Sequence, residues 1–309
     1  MKNTILFGDC RDTLPTIDTK ARMCVTSPPY YGLRNYGGEE NQIGQEDTPE
    51  QFIDNLVSVF RSVRDVLTDD GTLWVNIGDS YYNYRPGKGQ ALVKQSVSKT
   101  KQDLPDTCAR RGNKLEGLKE KDLIGIPWML AFALRADGWY LRQDIIWHKP
   151  NPMPESVRDR CTKSHEYLFL LSKNKKYYYD NEAIKEPVKQ DWGTRNRDAG
   201  KYHNPGTGLQ PHSGLTKSYE RKNKRDVWTI TNKPYKGAHF AVFPPDLIEP
   251  CILAGSERGD IILDPFMGSG TTGMVAKKHG RNYIGCELHE DYASLQTDRI
   301  DSIPCQLML

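Results

Sequence analysis

The stretch DPFMGSGTT, residues 264–272, lies between an apolar run and a helical pattern and is the strongest indication of the fold. Residues 261–263 ahead of it are Ile, Ile and Leu, and residues 271–279 behind it have helical periodicity. A second apolar run at residues 282–286 ends on Glu287, 23 residues after Asp264. The predicted order is therefore strand, glycine turn, helix, strand and acid.

A unit of this kind is suited to bind a nucleoside. The glycines let the backbone turn tightly and approach a ligand, the helix N-terminus offers unpaired N–H groups, and the terminal acid can accept hydrogen bonds from ribose hydroxyls. A tight turn without any ligand is the alternative, and the acid at Glu287 makes it less favoured. No Lys follows the glycines, which argues against a phosphate-binding loop and against phosphoryl transfer.

The other apolar runs alternate with helical patterns along the chain. Buried strands are predicted at residues 4–7, 23–25, 72–77, 139–147 and 167–171, and helices at residues 49–67, 126–134, 246–253 and 290–300. With the two strands around the glycine turn, this makes about six or seven strands. The predicted fold class is α/β with a mainly parallel sheet.

Composition restricts the class of protein. The chain has 309 residues, 37% of them hydrophobic, with 6 Trp and 16 Tyr, as expected of a folded domain with long polar loops. It contains no apolar run of membrane-spanning length and no signal-peptide pattern, so a cytoplasmic setting is expected. The seven Cys are odd in number and form no C-x-x-C pair, which argues against disulfides and against a metal site.

Positive charge is concentrated in two segments. Residues 173–236 contain 15 Lys or Arg against 7 Asp or Glu, and residues 85–121 contain 10 against 4. Such segments are expected where a chain meets a polyanion, although a solvated loop is the alternative for the first. We therefore predict one α/β domain at residues 1–172 and 238–309, an insert at residues 173–237, and a mobile basic loop at residues 80–122.

A second stretch, Thr-Ser-Pro-Pro-Tyr at residues 26–30, follows directly on a predicted strand. Two prolines fix the backbone there, because each restricts φ and lacks an N–H donor. Ser27 and the Pro28 carbonyl offer two acceptors and Tyr30 an aromatic face, which suits a planar base with an exocyclic amino group; a stiff loop with a packed Tyr is the alternative. Acceptors that hold both N–H bonds out of the ring plane favour the tetrahedral nitrogen formed during attack.

These stretches resemble motifs of a known family. Residues 26–30 look like motif IV, residues 264–272 like motif I, and residues 284–287 like motif II of S-adenosylmethionine-dependent DNA amino-methyltransferases. The order, with the catalytic motif first, is similar to the β group of that family. The resemblance implies a doubly wound, Rossmann-like methyltransferase fold with circularly permuted motifs, which transfers the methyl of S-adenosylmethionine to a base flipped out of double-stranded DNA.

The resemblance also implies roles for individual residues. Asp9 and Cys10 match motif III near the adenine, and Pro244 belongs to motif X around the methionine moiety; Glu287 would bind the ribose hydroxyls and Phe266 would lie beside the methyl donor. The expected cofactor-binding set is Asp9, Cys10, Pro244, Asp264, Phe266, Gly268, Ser269, Gly270, Thr271, Thr272 and Glu287. The expected catalytic set is Ser27, Pro28, Pro29 and Tyr30.

The basic insert corresponds in position to the family's target-recognition region, with Lys222, Lys224 and Arg225 as the expected DNA-binding residues. A Ser at position 27, rather than Asp or Asn, is associated in the family more with cytosine N4 than with adenine N6. We therefore expect a site-specific cytosine-N4 enzyme, with adenine N6 as the alternative, in a restriction-modification system or alone. Whether the chain forms a homodimer is left open.

Three other functions are alternatives. A cytosine C5-methyltransferase needs a Cys after a Pro; Cys305 follows Pro304 but is the fifth residue from the end of the sequence, and Cys251 sits in a helical pattern and is expected in the core. A non-catalytic DNA-binding subunit would have no reason to keep residues 27–30 together. An amino-methyltransferase acting on RNA or on a protein amide is a third alternative. The long basic insert favours an extended nucleic acid over a protein amide, and composition does not separate a duplex from a single strand.

Overall fold

The computed structural model describes residues 1–32, 42–82, 115–188, 220–232 and 243–303. The helices are α1 (Cys10–Thr13), α2 (Pro49–Val66), α3 (Ile126–Ala136), α4 (Pro245–Gly255), α5 (Thr271–Lys278) and α6 (Ala293–Asp301). The strands are β1 (Thr4–Phe7), β2 (Ala21–Thr26), β3 (Leu67–Ile77), β4 (Tyr140–His148), β5 (His165–Ser172), β6 (Glu186–Pro187), β7 (Arg221–Lys222), β8 (Val227–Thr229), β9 (Ile261–Asp264) and β10 (Asn282–Glu287). The strand, turn, helix, strand and acid predicted around residues 264–272 are confirmed.

Eight strands form one sheet in the order β1-β10-β9-β2-β3-β5-β4-β8, and β6 pairs with β7 in a separate ribbon. All neighbours from β1 to β3 are parallel, β5 runs antiparallel to β3 and β4, and β8 is parallel to β4. The mainly parallel α/β sheet is confirmed. The last two strands of the chain lie beside the first two, so distant sequence stretches share one edge of the sheet.

Helices cover both faces of this sheet, as in a doubly wound fold. One face is packed by α2 and α3, with Phe52, Leu56 and Phe60 of α2 fully buried in a core with Leu73 and Phe169 of the sheet. The opposite face is packed by α4 and α5 over the alternate side chains of the same strands. This alternation follows from the period of two in a β-strand, which sends successive side chains to opposite faces.

Local chemistry explains where α2 begins and ends. The Thr48 hydroxyl accepts from the Gln51 N–H and the Gln51 side chain accepts from the Thr48 N–H, each at 3.2 Å, ahead of Pro49 in the first turn. After Val66 the chain enters β3 at once. The strand predicted at residues 72–77 begins earlier, at Leu67, and residues 69–71 lie within β3, where the register against β2 shifts.

Within the basic segment at residues 173–236, the short strand β8 belongs to the main sheet. Val227–Thr229 pairs with the end of β4, and Trp228 is 5% exposed, with its indole N–H donating to the Arg225 carbonyl at 2.7 Å. Earlier in the segment, Tyr179 stacks on the buried Trp74. A three-residue strand with a single inward side chain has no periodicity to detect, which is why the sequence did not indicate it.

Several predicted features fall outside the described residues. These are residues 83–114 of the basic loop, residues 189–219 and 233–237 of the insert, and Cys305. Cys251 is fully buried in α4, as expected. In the part of the chain that is described, no helix combines the length and the apolar character needed to cross a bilayer.

Replacing Trp228 tests whether β8 is an integral part of the sheet. We expect Trp228→Ala to lower the free energy of unfolding by about 3–5 kcal/mol, because it empties a buried aromatic site. Val227→Ala is the matched control: Val227 precedes it in the same strand but is 55% exposed, so a change within about 0.5 kcal/mol is expected. Urea unfolding measures both, and equal losses for the two variants would contradict the assignment.

Candidate active site

The carboxyl ends of four neighbouring strands bring most of the predicted site residues together. In the order β1, β10, β9 and β2, these ends lead into Asp9, Glu287, Asp264 and Ser27. By register, the ends of β1 and β10 are level, with Phe7 opposite Glu287, and β9 ends two residues earlier, with Asp264 opposite Gly285. Ligands of parallel α/β sheets bind at this edge, so the arrangement has the expected location of a binding site.

Asp264 connects the glycine stretch to the strand that carries Ser27. Its Oδ1 accepts from the Thr26 hydroxyl at 2.6 Å and from the Phe266 N–H at 3.0 Å, and its Oδ2 accepts from the Thr272 hydroxyl at 2.6 Å. The side chain is fully buried, and this burial raises the pKa of Asp264 to about 6 although all three hydrogen bonds favour the ionised form. One carboxylate thus ties residue 26 to both ends of the loop.

The glycine loop is shaped by close backbone contacts. Gly268 has a φ of 51° and donates its N–H to Glu287 Oε2 at 2.7 Å, and Met267 donates its N–H to the Cys286 carbonyl at 2.9 Å. A Cβ on Gly285 would stand 2.9 Å from Met267 Cγ and 3.0 Å from Met267 Cβ, so glycine at position 285 lets the loop lie close to β10. Gly270, with a φ of 80°, is the N-cap residue that precedes α5.

Glu287 is a buried acid at the end of β10. Burial raises its pKa to about 7, and the N–H groups of His289 (3.1 Å to Oε1) and Gly268 favour the charged form only in part. The two N–H contacts fix the orientation of the carboxylate and leave lone pairs on both oxygens. It can therefore accept from neutral hydroxyl donors, which would stabilise its charge.

The loop hydroxyls differ in their partners. The Ser269 hydroxyl accepts from the Arg299 guanidinium, and Thr272 is bound to Asp264. Among the described residues, the buried Thr271 hydroxyl has no hydrogen-bond partner. A buried polar group without a partner is unfavourable, so this hydroxyl is a candidate contact for a ligand. Phe266 is half-buried beside the core.

Asp9, Cys10 and Pro244 have visible structural roles. Asp9 accepts from the Arg11 N–H at 2.8 Å at the start of α1 and forms an ion pair with the Arg11 side chain. Burial opposes ionisation, but the Arg11 contacts outweigh it and lower the pKa of Asp9. The Cys10 thiol is packed in the core, where burial raises its pKa, and Pro244 precedes α4 as a buried cap residue. Their contacts with a ligand remain predictions.

The Ser-Pro-Pro-Tyr stretch leaves β2 beside the end of β3. The Tyr30 hydroxyl donates to Glu166 Oε2 at 2.7 Å and lies 3.4 Å from Asn76 Oδ1. A Cβ on Gly78 would stand 2.5 Å from Cε2 of the Tyr30 ring, so this glycine leaves the space that the ring occupies. Sequence reasoning missed Asn76, Gly78 and Glu166; a polar Asn at the end of the apolar run of β3 was the available signal.

The three basic residues expected to bind DNA lie in or just after the β6–β7 ribbon. Lys222 is in β7 itself, and Arg225 is largely exposed with its Nε 3.2 Å from Glu186 Oε2. Lys224 is mostly buried; its Nζ lies 3.7 Å from Glu186 Oε1 and 4.9 Å from the centre of the Trp228 ring. Lys224 thus holds β8 in place, and the DNA contacts of all three remain predictions.

Comparison with known proteins agrees on one family. The profile of a family described as "DNA methylase" matches residues 21–298. The chain is 49% identical to the type II methyltransferase M.SmaI of Serratia marcescens over 297 residues, which cover 96% of this chain and 90% of that protein. It is 47% identical to the type II methyltransferase M.Cfr9I of Citrobacter freundii over 298 residues, covering 96% and 87%.

Two solved structures have the same fold. The PvuII DNA methyltransferase, described as cytosine-N4-specific, superposes with a TM-score of 0.61 at 17% identity, covering all of this chain and 89% of that one. The complex of M1.HpyAVI with SAM superposes with a TM-score of 0.54 at 17% identity, covering 96% and 98%. Both support the α/β architecture described above.

Asp264 predicts a specific pH dependence of stability. Its pKa is about 6 when folded, against an ordinary value of 3.8, so the folded chain keeps a proton that the unfolded chain loses between about pH 4 and pH 6. The free energy of unfolding of the wild-type protein, measured relative to that of the Asp264→Asn variant, should therefore fall by roughly 3 kcal/mol as pH rises through this window, and then stay constant. Urea unfolding from pH 4 to pH 8 measures the difference, and a pH-independent difference would contradict it.

Proposed function

This chain belongs to the DNA methylase family of the N6/N4 class, and on that basis we propose that it methylates the exocyclic N4 of cytosine in double-stranded DNA. As a member of this family, the chain is a type II DNA methyltransferase that acts on an exocyclic amino group and uses S-adenosylmethionine. The observation that carries the proposal is the Asp264–Thr26 hydrogen bond, which sets the glycine loop beside the stretch that begins at Ser27.

The residues around the glycine loop fit S-adenosylmethionine. Glu287 has lone pairs free to accept from ribose hydroxyls, the buried Thr271 hydroxyl lacks a partner among the described residues, and glycines at 268 and 270 remove the side chains that would crowd a ligand. Phe266 and Pro244 would supply apolar contacts. When bound, S-adenosylmethionine supplies an electrophilic methyl group on a sulfonium centre.

The acceptor stretch would hold and activate the amino group. Ser27 Oγ and the Pro28 carbonyl would accept its two N–H bonds, while the ring of Tyr30 stacks on the base. An amino group conjugated with the ring is a poor nucleophile, because its lone pair is delocalised. Acceptors placed out of the ring plane favour the tetrahedral nitrogen of the transition state over the planar nitrogen of the ground state. Pro29 keeps these acceptors in position by restricting the backbone.

Cytosine is favoured over adenine by the residue at the head of this stretch. Ser27 stands where the resemblance associates Ser with cytosine N4, and the structural neighbour PvuII methyltransferase is itself described as cytosine-N4-specific. Adenine N6 presents the same kind of amine and is the alternative. Lys222, Lys224 and Arg225 of the insert would contact phosphates of the duplex, which is opened so that the base can reach the edge of the sheet.

Nucleoside mass spectrometry of plasmid DNA treated with the enzyme and S-adenosylmethionine tests this proposal. We expect N4-methylcytosine in the wild-type reaction. Ser27→Ala should lower the rate on the order of a hundredfold, because it removes one acceptor that acts in the transition state, while S-adenosylmethionine affinity changes little. If N6-methyladenine is detected instead, the target base is adenine and not cytosine. A large loss of cofactor affinity in Ser27→Ala would contradict the role of Ser27.

Glu287 predicts that cofactor affinity depends on pH. The ribose hydroxyls would donate to the ionised carboxylate, so protonation near pH 7 competes with binding. The dissociation constant of S-adenosylmethionine should be about tenfold larger at pH 6 than at pH 8. Glu287→Gln should bind more weakly and lose this part of the dependence. Calorimetric titration of the wild-type protein and of Glu287→Gln at several pH values separates the contribution of Glu287 from that of the ligand's own groups. If the dissociation constant changes equally with pH in both proteins, Glu287 is not the group responsible.

A further inference from the structure

A chain of polar contacts crosses four adjacent strands at the edge that carries Tyr30. Tyr30 follows β2, Asn76 lies in β3, Glu166 lies in β5 and Lys149 follows β4, and these strands are neighbours in the order β2-β3-β5-β4. The four residues come from separate parts of the sequence and meet through the Glu166 carboxylate. None of the motifs recognised in the sequence includes Asn76, Glu166 or Lys149.

Each oxygen of the Glu166 carboxylate has its own partners. Oε1 pairs with the Lys149 ammonium, whereas Oε2 accepts from the Tyr30 hydroxyl at 2.7 Å and from the Asn76 side-chain amide at 3.3 Å. Both charged side chains are only 15% exposed. A partly buried ion pair with every oxygen occupied has one favourable arrangement, so Glu166 is held in a defined orientation.

The two residues that hold Glu166 are themselves fixed. The Asn76 amide also donates to the Tyr167 carbonyl at 3.1 Å, and Asn76 is 2% exposed. The Lys149 ammonium lies 4.2 Å from the centre of the Trp147 ring, and the Trp147 indole N–H donates to the Ile230 carbonyl at 2.9 Å. The charge of Lys149 is thus held by a carboxylate and an aromatic face together.

The orientation of the Tyr30 side chain is restricted at two places. Its hydroxyl, at the far end of the ring, is bound to Glu166, and Gly78 leaves room for the ring edge where any Cβ would collide with it. A side chain held at its tip and along one edge loses most of its rotational freedom before a ligand arrives. Binding then does not have to order the side chain, which is the general advantage of a pre-organised site.

We propose that Glu166 is a positioning residue for methyl transfer: held by Lys149 and Asn76, it sets the ring of Tyr30 in the plane that the flipped base stacks on. This inference rests on the proposed function, because it assumes that Tyr30 stacks on the target base. Glu166 acts through the Tyr30 hydroxyl and does not touch the reacting atoms. Loss of the hydroxyl should therefore matter only while Glu166 is present.

A double-mutant cycle with Tyr30→Phe and Glu166→Ala tests the inference through kcat for methyl transfer to plasmid DNA. In the wild-type background, Tyr30→Phe should lower kcat about tenfold, since it removes a hydrogen bond to a charged acceptor. In the Glu166→Ala background the same change should have little further effect. If Tyr30→Phe lowers kcat by the same factor in both backgrounds, or leaves the wild-type rate unchanged, the inference is overturned.

Two further variants separate positioning from damage to the fold. Glu166→Gln keeps an oxygen that can accept from Tyr30 and should retain more activity than Glu166→Ala; equal losses would count against the inference. Glu166→Leu fills the space without an acceptor and repeats the cycle if Glu166→Ala does not fold. Tyr31→Phe is the matched control, because its hydroxyl donates to the Asp47 carbonyl at 3.3 Å, away from Glu166, and kcat should be unchanged.

Cofactor affinity distinguishes a loss of positioning from a general loss of structure, because only the latter would alter it. The dissociation constant of S-adenosylmethionine should stay within about twofold of wild type in Tyr30→Phe and Glu166→Ala, because neither residue lies at the glycine loop. A parallel loss of cofactor affinity would mean that Glu166 supports the fold, which would overturn the inference. The proposed function fails separately, if the wild-type enzyme leaves neither methylated base in DNA.

Discussion

One buried carboxylate holds the two parts of the site in register. Asp264 ends the strand that leads into the glycine loop, and Thr26 ends the strand that leads into the acceptor stretch. The carboxylate binds the hydroxyls of Thr26 and Thr272 and the N–H of Phe266, and it is fully buried. Removing any one donor would leave part of the buried carboxylate charge without a hydrogen bond, so each of the three hydrogen bonds helps to stabilise the arrangement that allows the other two. The distance between loop and acceptor stretch depends on this group.

Strand order divides the edge of the sheet into two functional halves. The strands β1, β10 and β9 lead into the residues expected to bind the cofactor, whereas β3, β5 and β4 carry or lead into the side chains that hold Tyr30. Between them lies β2, which ends on Thr26 and continues into Ser27. A ligand in one half and a base in the other would therefore meet at the end of β2, where the rigid prolines are. This is the crevice in which parallel α/β sheets bind their ligands.

The site is built at some expense of stability. Burial raises the pKa of both Asp264 and Glu287, to about 6 and about 7, so each ionised carboxylate is less favourable in the folded chain than in water. Lys149 and Glu166 are also removed from most of the solvent. Replacing such groups with apolar ones often stabilises a protein, and their presence at one edge is the usual pattern of a site selected for binding and catalysis.

The sequence by itself determined the local units of this protein. Apolar periodicity indicated most strands and helices within a few residues, and glycines, prolines and the acid at position 287 indicated the loop and the acceptor stretch, because these signals lie within short segments. The motifs also sufficed to identify the family. Strand β8 is not indicated by the sequence, since three residues have no detectable period, and neither is the contact of Lys224 with the Trp228 ring.

Only the tertiary structure decided which distant residues meet. Thr26 and Asp264 are 238 positions apart, and Tyr30 and Glu166 are 136 apart, yet each pair shares a hydrogen bond. Nothing in either local segment indicates its partner, because such a pair is created by the order of strands in the sheet. That order results from packing both faces of the sheet against helices, a property of the whole chain rather than of any stretch within it.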